Sequence, residues 1–318
     1  MIVSKTPLRI SFLGGGTDMR EFYKTGWTAV LSTAIRKYVD VRINGFKGGI
    51  RVAVSEVQIA RNAADIRDAI VRECLRSAGV NDDIEVVATS DVPVGSGLGG
   101  SSSFAVGLLN CLYTLKHKPA SPGKLAEEAC RIEIDVLRNP IGKQDQYIAA
   151  FGGLRAIRFN ADESVELSDV RISEKNKRKL EDNLIQVYTG LTHTAANVLN
   201  EQRSNAQTKL DIMLKMRQQV HEGKTALEGG DLDGFGKMLS TNWELKKQLA
   251  GGISNPFIDE IYAKGLETGA LGGKLSGAGA GGYLLFYCPK SSQERLKKTF
   301  DNFELSAVRL ESVGSMIE

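Results

Sequence analysis

The 318-residue sequence has little cysteine, almost no net charge and no long apolar run. Its four cysteines, Cys74, Cys111, Cys130 and Cys288, are widely spaced. That excludes a disulfide framework and any metal-site spacing, and fits reduced, mostly buried thiols. With 41 Lys and Arg against 38 Asp and Glu the net charge is only +3, so nothing in the charge balance favours wrapping nucleic acid. No segment approaches the ~20 apolar residues that cross a bilayer. Met1–Pro7 shows no signal-peptide pattern, internal repeats are absent, and low-complexity tracts are absent too. The expectation is a cytoplasmic protein with neither nucleic-acid nor membrane partners. An apolar fraction of 42% and a charged fraction of 25% are ordinary for a globular chain, and the length suits two domains or one large one.

What the sequence does have is glycine in three clusters. The central one is Asp91-Val92-Pro93-Val94-Gly95-Ser96-Gly97-Leu98-Gly99-Gly100-Ser101-Ser102-Ser103. A strand-like run, Ile84–Ala88, leads in and a helix-like run, Phe104–Leu112, leads out. Strand, glycine loop and helix start together make a phosphate cradle: bare backbone lets N–H groups approach an anion, and the helix N-terminus adds free donors and a positive dipole end. Gly95 to Gly100 also match the dinucleotide pattern G-x-G-x-x-G, but no strand ending in an acid follows. A P-loop is excluded because no G-K-S/T follows the glycines. A third kind of phosphate loop remains.

In chain order, Leu8–Leu13 reads as a strand ending in Gly14-Gly15-Gly16-Thr17-Asp18. Asp18 either caps a helix over 19–24 or accepts hydrogen bonds from substrate hydroxyls. Ala29–Ile35 and Tyr38–Asn44 read as strands, with Gly48-Gly49 a hairpin turn into a strand over 50–54. Asn62 is expected to cap a helix over 63–78 that stops at Gly79.

Ser121 and Pro122 open the next helix, whose apolar stripe is Leu125, Ala129, Ile132 and Val136. Glu133 borders that stripe in the last turns, where an acid is disfavoured. It either pairs with a cation at the rim or is held inward to bind one, Mg²⁺ being the natural partner of nucleotide phosphates. Asp145, after the break at Asn139-Pro140, is an ordinary first-turn acid or, beside a phosphate loop, the group that orients a substrate hydroxyl.

The strongly charged stretch from Asn160 to Asn183 reads as a solvated face and marks the expected junction between domains at 1–180 and 181–318. Leu184–Tyr188 is a strand, and helices are expected over 195–222, 231–249 and 256–268. His193 has no sequence-evident partner and reads as structural. The third glycine cluster is Gly272-Gly273-Lys274-Leu275-Ser276-Gly277-Ala278-Gly279-Ala280-Gly281-Gly282, before the strand Tyr283–Tyr287. So many glycines are not expected for packing alone, and point to a ligand held between domains.

Three segments in order, Pro7–Asp18, Pro93–Ser102 and Lys274–Gly282, resemble the three motifs of the GHMP kinases, the superfamily of galacto-, homoserine, mevalonate and phosphomevalonate kinases. The resemblance spans nearly the whole chain. Within the family, PLRISFLGGGTD and GKQDQYIAAFGG look most like sugar kinases acting on D-glycero-D-manno-heptose phosphate, a style shared by fucokinase-like enzymes.

The resemblance implies an α+β fold of two domains, the first like ribosomal protein S5 domain 2 and the second ferredoxin-like. It implies ATP and Mg²⁺ as cofactors. The expected activity is transfer of the γ-phosphoryl to the anomeric hydroxyl of D-glycero-D-manno-heptose 7-phosphate, with another sugar 1-kinase, or a sugar-sensing regulator, as alternatives. Pro93, Gly95, Ser96, Gly97, Leu98, Gly99, Gly100, Ser101, Ser102 and Ser103 would wrap ATP. Glu133 matches the metal-binding glutamate and Ser101 the metal-side serine, although Gly100 stands where the family usually has serine, which leaves Ser102 as the other choice. Asp145 matches the catalytic aspartate, and Arg9 the arginine near the reacting hydroxyl, with Lys143 a further cation there. Gly15, Gly16, Thr17, Asp18, Gly277, Ala278 and Gly279 would meet the sugar. For a sugar phosphate the candidate cations are Arg20, Arg36, Lys37 and Lys143.

Overall fold

In the computed structural model residues 1–192 and 196–318 are described; His193 lies outside them. In chain order the strands are β1 (Ile2–Leu13), β2 (Trp27–Gly45), β3 (Ile50–Ala53), β4 (Val57–Ala60), β5 (Ile84–Ser90), β6 (Leu154–Asn160), β7 (Val165–Asp169), β8 (Leu184–Tyr188), β9 (Gly272–Leu275), β10 (Tyr283–Tyr287), β11 (Leu305–Ala307) and β12 (Met316–Ile317). The helices are α1 (Arg20–Tyr23), α2 (Ala69–Ala78), α3 (Gly100–Leu115), α4 (Pro122–Cys130), α5 (Gln144–Phe151), α6 (Glu174–Asn183), α7 (Ala196–Ser204), α8 (Leu210–Gly229), α9 (Leu232–Lys247), α10 (Pro256–Glu267) and α11 (Gln293–Thr299). Strands pair in two sheets. The first runs β12-β1-β2-β5-β3-β4, with β6 on β2 and β7 on β6; the second runs β11-β8-β10-β9.

β1 reads as a nearly continuous buried run because both faces of its sheet are covered, by α3 on one side and by α8 and α9 on the other. Its Phe12 meets Phe235 of α9 edge-on, ring centroids 5.3 Å apart, a geometry that adds to plain burial. The same core cluster takes in Leu8, Ile10, Leu108 and Leu239. A second cluster, built on Trp243, Ile258, Leu284 and Phe286, lies around the smaller sheet. The shared cluster fixes the two sheets against each other, and so fixes the glycine loops that hang from them.

Several local expectations changed. The two strands read between 29 and 44 are one 19-residue strand, β2. Gly48-Gly49 turns the chain but makes no hairpin: β5 inserts, antiparallel to β2 and parallel to β3, where Ile84 and Val86 join a buried row with Ile43 of β2 and with Ile50 and Val52 of β3. Asn62 caps only a short 3₁₀ turn, and Asp68 caps α2. The charged stretch from 160 to 183 holds β7, an exposed edge strand, and α6, whose Leu180 is buried while its lysines face solvent. The helix expected over 195–222 is two, α7 and α8. The chain end returns to the first sheet, β12 pairing with β1 through Ser4 and Lys5.

Candidate active site

β1 delivers Arg9 to the loop before α3. Its backbone N–H donates to the carbonyl of Leu98 at 3.0 Å. Its side chain is buried and each of its nitrogens donates: Nε and Nη2 to the two oxygens of Asp145, each at 2.6 Å, and Nη1 to the carbonyl of Gly97 at 2.6 Å. A bidentate guanidinium–carboxylate pair is strong and directional. One residue thus sets the loop and the carboxylate relative to each other.

Glu133 sits where α4 widens into a π-helical turn, Arg131–Val136. The widened turn rotates Glu133 off the rim and buries it fully. Its carboxylate accepts from Ser101 Oγ at 2.9 Å and from Gln146 Nε2 at 2.7 Å, with no cation paired to it among the described residues. Burial raises its pKa, and those donors oppose the rise in part. Of the two serines left open by the sequence, Ser101 donates to Glu133 at 2.9 Å, and Ser102 also helps to lower the Glu133 pKa. An inward carboxylate beside a hydroxyl is an all-oxygen set that suits a hard cation completed by phosphate oxygens. No cluster of three His, Cys, Asp or Glu side chains offers a self-sufficient metal cage among the described residues.

Asp18 is buried and does not cap α1; Met19 stands at that cap. Its carboxylate accepts from the backbone N–H and the side-chain amide of Gln144, both at 3.0 Å, and from the Gly16 N–H at 3.2 Å. A Cβ on Gly142 would collide with that carboxylate, so glycine is required there. Burial raises the Asp18 pKa, and the charge of nearby Asp145 raises it further.

These groups line one cavity of about 580 Å³. Apolar lining comes from Val39, Val54, Ala88, Val92 and Phe104. The three glycine loops, Arg9, Asp18, Glu133, Asp145, Gln144, Gln202, Lys246 and Lys274 supply the rest. Three buried lining atoms have no partner: Ser11 Oγ, Gln144 Oε1 and Gln202 Oε1. Orphaned buried polar atoms facing a cavity call for a ligand rich in hydroxyls.

The second and third glycine loops pack backbone against backbone. A Cβ on Gly97 would stand 2.6 Å from the Ser276 carbonyl, one on Gly277 2.5 Å from the Gly97 Cα, and both residues have positive φ. The Tyr283 N–H donates to the Ser96 carbonyl at 3.2 Å. Part of the glycine content therefore serves packing as well as the cavity, because the loops must touch to enclose it.

Not every sequence candidate lines the cavity. Thr17 Oγ1 donates to the Ala29 carbonyl at 3.2 Å, and Ser103 Oγ to the Pro7 carbonyl at 2.8 Å. Leu98 is fully buried beneath its loop. Lys143 turns away: its Nζ meets Glu163 at 3.0 Å and lies 4.9 Å from the Tyr23 ring. Lys143 and Asp145 are two apart at a helix start and so point to different sides. Arg20 pairs with Asp135 and Glu163, Arg36 with Glu311, and Lys37 lies over Tyr283. Gly15, Gly16, Gly277, Ala278, Gly279 and the loop from Pro93 to Ser102, Leu98 apart, do line it. Sequence reasoning missed Lys246, Gln202 and the support of Glu133 by Gln146.

Comparison with known proteins agrees with this arrangement. The family models for the GHMP kinases N terminal domain and GHMP kinases C terminal match residues 59–153 and 224–304. The chain belongs to the GHMP kinases. It is thus a phosphotransferase with an alcohol acceptor, built on the family's two-domain α+β fold. This GHMP kinase is 27% identical to a D-glycero-alpha-D-manno-heptose 7-phosphate kinase of Campylobacter jejuni over 93% of its own length and 92% of the relative's. It is 24% identical to a galactokinase of Pyrococcus furiosus, with 93% and 91% covered. The crystal structure of a D-glycero-D-manno-heptose 1-phosphate kinase from Bacteroides thetaiotaomicron superposes with a TM-score of 0.83 at 24% identity, covering 100% of this chain and 99% of that one.

Proposed function

We propose that this GHMP kinase transfers the γ-phosphoryl group of ATP to the anomeric hydroxyl of D-glycero-D-manno-heptose 7-phosphate, giving the 1,7-bisphosphate for nucleotide-activated heptose. The observation that carries the transfer chemistry is the Arg9 bridge from the Gly97 carbonyl to both oxygens of Asp145. It puts the Asp145 carboxylate beside the phosphate loop. The hydroxyl-rich acceptor is supported by the unpartnered Ser11, Gln144 and Gln202 oxygens, and the heptose choice by likeness to the Campylobacter jejuni relative.

Bound Mg²⁺-ATP supplies the phosphoryl group and neutralises its charge. The chain's own residues do the rest. Gly95 to Ser102 hold the phosphates on backbone N–H groups at the start of α3, with the apolar group around Val39 and Phe104 available to a nucleotide base. Ser101 and Glu133 would hold the metal. Asp18, Gln144 and Gln202 hold the sugar hydroxyls. Asp145 takes or orients the proton of the attacking hydroxyl, and Arg9 prevents it from rotating away. Most of the acceleration comes from position and fixed charge.

The test is an ADP-release assay with Mg²⁺-ATP and heptose 7-phosphate, heptose, fucose, mannose and galactose. Preference for heptose 7-phosphate supports the proposal. Preference for fucose replaces the acceptor and keeps the kinase. No ADP release with any sugar returns the chain to a sensing role.

A further inference from the structure

The cavity is lined by three basic side chains among the described residues, Arg9, Lys246 and Lys274, and two of them are spent. The Arg9 charge is paired with the Asp145 carboxylate, and each of its three nitrogens already donates, to Asp145 or to the Gly97 carbonyl, although two of its five N–H groups remain. Lys274 Nζ is buried against the Phe12 carbonyl at 2.9 Å and Asn242 Oδ1 at 3.3 Å, and its environment holds it well below the ordinary lysine range. Lys246 is different. It is 3% exposed, makes no ion pair with a carboxylate among the described residues, and donates to one acceptor, the Gly277 carbonyl. An ammonium has three N–H donors, so two remain for the cavity. A buried ammonium without a counter-ion is costly, and a neutral donor would tie down the Gly277 carbonyl as well.

The position of Lys246 says where its missing partner lies. Gly277 packs on Gly97 of the phosphate loop, Gly97 holds Arg9, and Arg9 holds Asp145. Asp18, Asp145 and Arg9 all act on the Lys246 charge. In a phosphoryl transfer, the moving group must lie between the phosphate loop and the hydroxyl beside Asp145.

We propose that Lys246 is a catalytic cation, donated by the second half of the chain, that binds the transferring γ-phosphoryl group. This rests on the kinase reading of the site. Lys246 reaches across from α9, so both halves of the molecule touch the reacting group. Burial, then the neighbouring Arg9, lower the free Lys246 pKa to about 8. An arriving phosphoryl anion favours the ammonium form and draws a proton back onto the nitrogen near that pH.

The experiment compares Mg²⁺ complexes of a non-hydrolysable ATP analogue and of ADP, with no acceptor present, by calorimetry. Lys246→Gln is expected to weaken the triphosphate analogue roughly tenfold or more, as loss of a charge-assisted bond does, and ADP less than about twofold. Lys246→Arg is expected to retain most of the preference. In the wild type at pH 8, repeated in two buffers of different ionisation enthalpy, the analogue is expected to take up protons and ADP markedly fewer. That wild-type measurement stands even if the Gln variant fails to fold. Equal loss of both nucleotides, or no loss, overturns the proposal. So does a variant that changes only KM for phosphorylated acceptors, which would put Lys246 on the acceptor's own phosphate. Failure of the kinase reading shows separately, as absence of ADP release by the wild type.

Discussion

The Arg9 guanidinium holds both oxygens of Asp145 at 2.6 Å while its remaining nitrogen holds the Gly97 carbonyl. A glycine loop and a carboxylate on a separate helix are thereby locked to one planar group. The two residues act as a unit, and their replacements are not expected to add. Asp145→Asn is expected to lower kcat at least ~10²-fold with nucleotide binding kept. Arg9→Lys, which keeps the charge but not the fork, is expected to cost about tenfold or more. In steady-state kinetics the double variant is expected to be little worse than Asp145→Asn alone.

Ser101 donates to Glu133 at 2.9 Å, and Ser102 beside it also helps to hold that carboxylate's pKa down. Ser101→Ala is therefore expected to raise the Mg²⁺ concentration for half-maximal rate by roughly tenfold or more, and Ser101→Thr to restore most of it. Ser102→Ala is expected to raise that concentration by less, since Ser101 makes the defined 2.9 Å hydrogen bond. A Mg²⁺ titration of initial rates distinguishes them.

Glu133 trades stability for function. Burial raises its folded pKa above the ordinary 4.5. An acid raised in the folded state contributes stability below its unfolded pKa and loses it as pH rises through the folded value. Metal-free Glu133→Gln is thus expected to melt higher than wild type at pH 7.5 and close to it at pH 4.5, by thermal unfolding, while losing activity. Gln146 Oε1, unpartnered in the structure, can turn to accept from the new amide.

Loop contact is testable without substrate. Gly97 has φ +82°, and its missing Cβ leaves room for the Ser276 carbonyl. Gly97→Ala is expected to destabilise the fold by about 1–3 kcal/mol in denaturant unfolding and to raise KM for ATP, since the strained loop is the phosphate cradle.

The sequence made the chemistry more legible than the connections. Glu133 stood out because an acid on an apolar helical stripe violates the pattern, and the structure buries it. Lys246 carries the same signal: it lies on the stripe of Phe235, Leu239, Asn242 and Trp243, yet a lysine is a good helix former with a long apolar stem and hides in such a pattern. Gln202 and Gln146 were invisible because a neutral amide violates nothing; only the fold brings their unpartnered oxygens into view. The strand order was illegible too. Gly48-Gly49 has hairpin chemistry, but β5 pairs with β2 in its place, a contact between residues some forty apart that no local pattern encodes. Lys143 misled because two residues in a helix share a sequence neighbourhood and not a face.

The most direct test of the assignment is phosphorus NMR of the product after wild-type enzyme, Mg²⁺, ATP and D-glycero-D-manno-heptose 7-phosphate are mixed. The expected result is ADP and, in equal amount, a second phosphate signal split by coupling to the anomeric proton, with the 7-phosphate intact and the signal absent with Asp145→Asn. ATP and the sugar phosphate left unchanged, or a new phosphate on any hydroxyl but the anomeric one, would contradict it.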